Sequence, residues 1–376
     1  MKPNKLPLLP LLLWETPPGL ELILRQEGIA FRDVDTADPT ALLAGRFLIY
    51  DSQKASIRAL SELLTSSHRV IDIHQYRLDE PFDPFEALID QKTALAVWNI
   101  GGLSVRETVS RRAKGIIRER LLESLRASVH QNGGVWARLS PYPHPYQSAF
   151  NFRADLDEEN PDDYRRFAEA RRPLEDCTTH FVSTFAYANQ ASVLNDLKRL
   201  DTQSHGHFHH IYDDHRENQT NLGNAHEILL ESGFDPKGFA APHGRWTPAS
   251  DACLERLGYE YSSDFQIGYD DFPFFPWVDD RFSKVLQIPI HPVCEGMFLD
   301  AGAARGTEVA EHLAEVVRSR LDGHLPAFVY GHPERRLARF PEVFQRLATT
   351  IAGARTLWRV TLTEFAAWWK FRAGQN

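Results

Sequence analysis

Polar clusters placed at or just after the ends of strand candidates constrain this chain more than any other feature. Three stand out: Phe152-Arg153-Ala154-Asp155-Leu156-Asp157-Glu158, Ser204-His205-Gly206-His207-Phe208-His209-His210 and Phe328-Val329-Tyr330-Gly331-His332-Pro333-Glu334. Buried parallel strands read as near-continuous apolar runs, and β/α folds gather their chemistry where such strands end. Strand candidates Ala149 to Arg153, His180 to Phe185, Gly238 to Ala240, Val285 to Ile290 and Ala327 to Tyr330 alternate with helical patterns. Residues 148–376 therefore read as a (β/α) barrel or a distorted relative of one, without internal repeats.

Residues 1–104 read as a separate small α/β layer domain of parallel strands. Leu8 to Trp14, Phe47 to Tyr50, Arg69 to Ile73 and Ala94 to Trp98 form buried strand candidates, with helical spacing over Gly19 to Glu27 and Ser56 to Leu64. No glycine-rich phosphate loop accompanies them, and Gly101-Gly102 reads as a tight turn. Residues 105–147 read as a linker: one amphipathic helix over Val105 to Val129 with a basic outer side, then the extended connector Ser140 to Tyr146, whose prolines disfavour helix.

Composition closes off several classes. A 43% apolar, 25% charged chain is ordinary globular protein. A net charge of −9 disfavours a nucleic-acid partner. The three cysteines, Cys177, Cys253 and Cys294, are too few for a disulfide framework and lack zinc-knuckle spacing. No apolar run is long enough to span a bilayer. Lys2 and Lys5 precede the apolar Leu6 to Trp14, but Glu15-Thr16-Pro17-Pro18 follows where a signal peptide would place small residues, so a cytoplasmic location is expected. Nothing in the sequence sets an oligomeric state.

The three clusters carry the chemistry. Residues two apart in an extended strand end point the same way, so Asp155 and Asp157 can converge, and two such carboxylates repel unless a proton or metal lies between them. Surface solvation or a helix cap also uses Asp-x-Asp. Four imidazoles within 205–210 are harder to assign to structure. His205 and His209, four apart, would share one face of a helical turn, the spacing that grips Zn²⁺ through imidazole nitrogens. His207 and His210 would then point elsewhere, toward substrate, whereas a different helical phase would make His207 a ligand instead. His332-Pro333 and His291-Pro292 each end a strand candidate, and each histidine could be catalytic or simply buried and hydrogen-bonded.

The order of these clusters resembles the polysaccharide deacetylase family (NodB homology, carbohydrate esterase family 4) over roughly residues 148–372. Arg153 to Asp157 is similar to a first motif written Arg-His-Asp-Val-Asp, and Ser204 to His209 to the His-x-x-x-His motif. Gly238 to Trp246 resembles the third motif, Ser263-Asp264 the fourth, His332 the fifth, and Val360 to Phe365 with Trp368-Trp369 the family's ending. The resemblance implies a divalent metal, Zn²⁺ foremost, on Asp157, His205 and His209, with Asp155 as general base and His332 as general acid. It also implies that Pro242, His243, Arg245, Trp246 and Asp264 border an N-acetylated carbohydrate substrate. One departure stands out: Ala240 occupies the position of the family's third-motif arginine, leaving Asp264 to pair with Arg245 or Arg153. Trp246, Tyr261, Phe265 and Phe272 to Trp277 could wall a sugar site or fill a core. The expected activity is removal of an N-acyl group from an amino sugar or surface-polysaccharide precursor. The alternatives are another C–N amidohydrolase on the same scaffold and a non-catalytic glycan-binding member of a polysaccharide pathway.

Overall fold

The computed structural model describes residues 10–34, 45–54, 61, 64–76, 80–100, 102–300 and 305–374. Leu8, Gly101 and most of the helix expected over Ser56 to Leu64 lie outside the described residues. The chain divides into two compact units. The first comprises Met1–Asp90, Arg112–Pro141 and Trp369–Asn376, the second Gln91–Arg111 and Tyr142–Trp368.

In the first unit, β1 (Leu11–Trp14), β2 (Phe31–Asp33), β3 (Phe47–Tyr50) and β4 (Arg69–Asp72) form a parallel sheet in the order β2-β1-β3-β4. Leu13, Ile49 and Ile71 from the sheet pack with Leu20, Ile23 and Leu24 from helix Pro18–Glu27 and with Leu121, Leu125 and Val129. The last three belong to helix Lys114–Gln131, which is therefore part of this core and not a linker. Its basic side is partly consumed inside the unit: Arg118 makes a buried ion pair with Glu27 at 2.9 Å, and Lys114 donates to the Asp90 carbonyl. Arg372 also closes on this unit, donating to the carbonyls of Gln26 and Leu139.

The single helix expected over Val105 to Val129 is corrected by the structure. Thr93–Ile100 (β5) and Leu103–Ser110 (β6) form an antiparallel hairpin in the second unit, and helix begins only at Lys114. Val105, Thr108 and Val109 are β-branched and pair with β5 along its whole length, which outweighs an apolar spacing compatible with either state. The Ala94 to Trp98 segment is a strand as expected but not a buried one. Leu95 is 62% and Val97 51% exposed, because among the described residues nothing packs over this face of the two-stranded ribbon.

The second unit is built on eight parallel strands. Ser148–Leu156 (β7), Thr178–Val182 (β8), Asp201–Ser204 (β9), Gly238–Ala240 (β10) and Tyr261–Ser263 (β11) come first. The small antiparallel pair Trp277–Val278 (β12) and Arg281–Phe282 (β13) intervenes before Leu286–Gln287 (β14), Ala327–Gly331 (β15) and Leu357–Arg359 (β16). Their order is β14-β11-β10-β9-β8-β7-β15, with β16 also pairing β7. His291 N donates to Phe328 O at 3.1 Å, drawing the β14 and β15 edges together into a curled, distorted (β/α) barrel. The strand expected over Val285 to Ile290 is thus short, and that over His180 to Phe185 ends at Val182 before the helical turn Thr184–Tyr187.

Strand β7 shows why the barrel has a polar interior. All nine of its residues are buried. Phe150, Phe152, Ala154 and Leu156 join the apolar core, where Phe152 meets Phe344 edge-on at 5.2 Å. The alternate residues Asn151, Arg153 and Asp155 have the opposite direction. Buried polar groups on that row need partners. The Asn151 amide donates to the carbonyls of Cys177 and Val360 and to the Thr179 hydroxyl.

Candidate functional site

Asp157 lies just beyond β7, where the strand's inward row runs out. Its Oδ1 is 3.1 Å from His205 Nε2, and its Oδ2 is 3.4 Å from His209 Nε2 and 3.5 Å from His332 Nε2. One ligand atom from each of Asp157, His205 and His209 lies within 4.8 Å of the others. Asp157 Oδ1 and His205 Nε2 are buried and approach without hydrogen-bond geometry, so each lacks a hydrogen-bond partner. Such pairs of lone-pair atoms aimed past one another suit a shared cation better than each other.

His205 and His209 are not on a helix, contrary to the spacing argument. The segment 205–210 is a loop, turned by Gly206 at φ 81° and shaped by one buried side chain from helix His215–Glu231. Asn221 Oδ1 accepts from the backbone of His207 and Phe208, while its amide donates to the carbonyls of Phe208 and His210. This latch brings the His205 and His209 rings to 5.1 Å between centroids. His205 Nδ1 lies 2.8 Å from the Ala240 carbonyl and can only donate to it, which in the neutral ring leaves Nε2 as the lone-pair nitrogen. Burial, aided by the neighbouring His205, pushes His209 down to about 4, so it is a neutral imidazole at pH 7. His207 turns away, its Nδ1 2.9 Å from Thr184 Oγ1, and His210 packs against Tyr212.

Asp155, one step back on β7, is 2% exposed and bonded through Oδ2 to Arg153 Nη2 at 2.5 Å; its Oδ1 is buried without a partner. The Arg153 guanidinium also donates to the Ser263 carbonyl and sits 4.7 Å from the Tyr330 ring centroid. Arg153 and Asp155 point the same way because they are two apart on one strand. A buried arginine is thus present although position 240 is alanine. Asp264 pairs with neither Arg153 nor Arg245. Its carboxylate accepts from Ala241 N, Ser262 Oγ and Gln287 Nε2, and burial raises its pKa.

His332 follows β15. Its Nδ1 and backbone N lie 2.9 and 2.7 Å from Glu295 Oε1. Glu295 is fully buried and was missed at the sequence level, since it lies 37 residues from His332 with no motif around it. Gly331 is the trace it leaves: a Cβ there would fall 2.4 Å from Glu295 Oε2. Burial opposes a charge on His332, but the Glu295 and Asp157 carboxylates outweigh it and raise its pKa well above the usual histidine value. Cys294, Glu295 and His332 form a second group with donor atoms within 4.8 Å, although His332 Nδ1 is already engaged with Glu295 there.

These groups share one cavity of about 470 Å³, lined by Arg153, Asp155, Asp157, His205, His209 and His332 together with Glu107, His243, Gly244, Cys294, Tyr330 and Arg336. Of the residues expected to border substrate, only His243 lines it. Pro242 is buried, and Arg245 is drawn aside to the Ile211 carbonyl and Asp213. Trp246, Tyr261, Phe265 and Phe274 are core, between 0 and 7% exposed. His291 lies outside the cavity, against His312, where burial pushes it down to about 3.

No family model and no curated protein matches the sequence. Solved structures do. One assigned to the polysaccharide deacetylases, from Mycobacterium smegmatis, is 16% identical with a TM-score of 0.53, covering 63% of this chain and 96% of its own. Another with that assignment, from Pseudomonas aeruginosa PAO1, is 17% identical with a TM-score of 0.53, covering 65% and 97%. The chain has the polysaccharide deacetylase fold. Among the described residues no helix is long and apolar enough to cross a membrane.

Proposed function

We propose that the second unit is a metal-dependent N-deacetylase of amino sugars or surface-polysaccharide precursors, with Zn²⁺ as the ion. The reading rests above all on the meeting of Asp157, His205 and His209 in a cavity also reached by Asp155 and His332. The donor set fits a cation: one carboxylate and two imidazoles, with buried, unpartnered Oδ1 and Nε2 atoms. Three protein ligands also leave positions open, as a catalytic zinc requires. Bound there, the ion would supply Lewis-acid polarisation of the acyl oxygen and lower the pKa of a water.

The chain's own residues do the rest. Asp155 takes the water's proton through its free Oδ1 while Arg153 holds Oδ2, fixing the carboxylate's direction. The water oxygen bonds to the acyl carbon as the C–N bond breaks. His332, oriented by Glu295 through Nδ1, delivers a proton from Nε2 to the departing amine, which leaves poorly without one. Arg153 offers the guanidinium that Ala240 lacks, an argument against the non-catalytic reading. A second cavity of about 410 Å³ adjoins the first through shared walls, which suits an extended glycan better than a small amide.

Metal analysis combined with acetate release from a panel of N-acetylated sugars tests the proposal. One divalent ion per chain with metal-dependent acetate release is expected. A metal-loaded protein that releases no acetate from any of them would refute it.

A further inference from the structure

The His332 ring stands between two groups of donor atoms. Its Nε2 faces Asp157 Oδ2 at 3.5 Å, and its Nδ1 faces Glu295 Oε1 at 2.9 Å. Cys294 completes the second group: one donor atom from each of Cys294, Glu295 and His332 lies within 4.8 Å of the others. Cys294 and Glu295 stand at the start of the short helix Glu295–Asp300, and His332 directly follows β15. Cys294 is 5% and Glu295 0% exposed, and the thiol contacts both the His332 ring and Tyr330.

The proposed mechanism uses the imidazole and the Glu295 Oε1 that orients it, and leaves the other donors idle. Glu295 Oε2 is buried without a hydrogen-bond partner, and the thiol takes no part. Thiolate, imidazole and carboxylate are all zinc ligands, and sulfur is the one that the Asp157 group lacks. Donor atoms around one zinc lie about 3–4 Å apart, so a small contraction of this group suffices. Cys294 and His332 also line the cavity of about 470 Å³, which gives an ion its entry.

We propose that Cys294, Glu295 and His332 form a second, weaker Zn²⁺ site whose filling switches off the neighbouring reaction. Binding sends the thiol proton and the Nδ1 proton to solvent and breaks the hydrogen bond between Glu295 and His332. Those costs place it behind the Asp157 group, whose Oδ1 and His205 Nε2 atoms are already without partners. Once Nδ1 is tied to a cation, the ring is a far weaker acid at Nε2 than an imidazolium, and the departing amine loses its proton donor. The site stands on its own donor geometry; the switch rests on the proposed role of His332.

The test starts from the full chain carrying one zinc and adds a several-fold excess of Zn²⁺ or Cd²⁺. Equilibrium dialysis counts bound ions, the ultraviolet thiolate-to-cadmium absorption reports sulfur ligation, and acetate release is followed on whichever sugar the one-zinc protein turns over. The wild type should bind a second ion, develop the thiolate band and lose about 100-fold or more in acetate release, the contribution of a general acid. C294S should stay at one ion, show no band and resist the same excess. C253S, whose sulfur lies beside His215 and outside the group, should behave as the wild type. Absence of a second ion, a second ion without the band, or equal inhibition of C294S would overturn the proposal, as would a thiolate-bound ion that leaves acetate release unchanged. If the one-zinc protein releases no acetate from any sugar, the deacetylase reading fails, and the band and its loss in C294S still decide the site.

Discussion

Replacing Arg153 by glutamine should expose how tightly Asp155 depends on it. Both side chains are essentially buried, 1% and 2% exposed, and Arg153 Nη2 meets Asp155 Oδ2 at 2.5 Å. Removing one partner of a buried pair leaves the other's charge uncompensated, at a cost of about 3–5 kcal/mol. At about 2–4 °C per kcal/mol for a unit of this size, Arg153→Gln should melt roughly 6–20 °C lower. Asp155→Asn, which leaves a buried guanidinium unpaired, should be destabilised comparably. The double variant Arg153→Gln/Asp155→Asn removes both charges, so its loss should fall short of the summed single losses by about 2 kcal/mol or more. Urea unfolding of the four proteins at pH 7 measures that coupling. Additivity to within about 0.5 kcal/mol would mean that the two residues do not support each other and that Arg153 does not hold the carboxylate.

Three further outcomes follow from the same geometry. Asn221→Ala should release the 205–210 loop and weaken zinc binding by about 10–100-fold, as loss of an outer support typically does; an unchanged affinity in a metal titration would show that the loop holds its shape without the latch. Asp155→Asn should keep its zinc but lose acetate release, whereas Asp157→Ala and His205→Ala should lose the ion itself; full activity in Asp155→Asn would reverse the roles given to the two aspartates. Glu334 makes stability pH-dependent. Its folded pKa of about 8 exceeds the ordinary 4.5, so its contribution is complete below about 4.5, erodes as pH rises, and is lost above about 8. Urea midpoints measured from pH 5 to 9 should therefore fall less steeply in Glu334→Gln, and parallel profiles would exclude this source.

The site was legible where its residues interrupt apolar runs. Asp155 and Asp157 stand at the end of β7, and His332 at the end of β15, positions set by strand period and burial alone. Tertiary partners were not legible. His205 and His209 converge through a loop shaped by Asn221, a residue 12 positions further on and indistinguishable in sequence from any other helical asparagine. Glu295 carries no signal of its own, and Gly331, which makes room for it, reads only as strand-end punctuation. Arg153 was visible in the sequence as a possible partner of Asp264, but its pairing with Asp155 follows only from the strand's inward row. The hairpin over 93–110 failed for a different reason. Its valines are spaced for either a helix or a strand, and only pairing along its partner decides between them.

The zinc coordination shell tests the central claim most directly. X-ray absorption on the stoichiometrically loaded protein should show one zinc per chain with nitrogen and oxygen neighbours at about 2.0–2.1 Å, two of them imidazoles, and no sulfur. A zinc–sulfur shell near 2.3 Å would place the ion with Cys294, Glu295 and His332 instead and contradict the account.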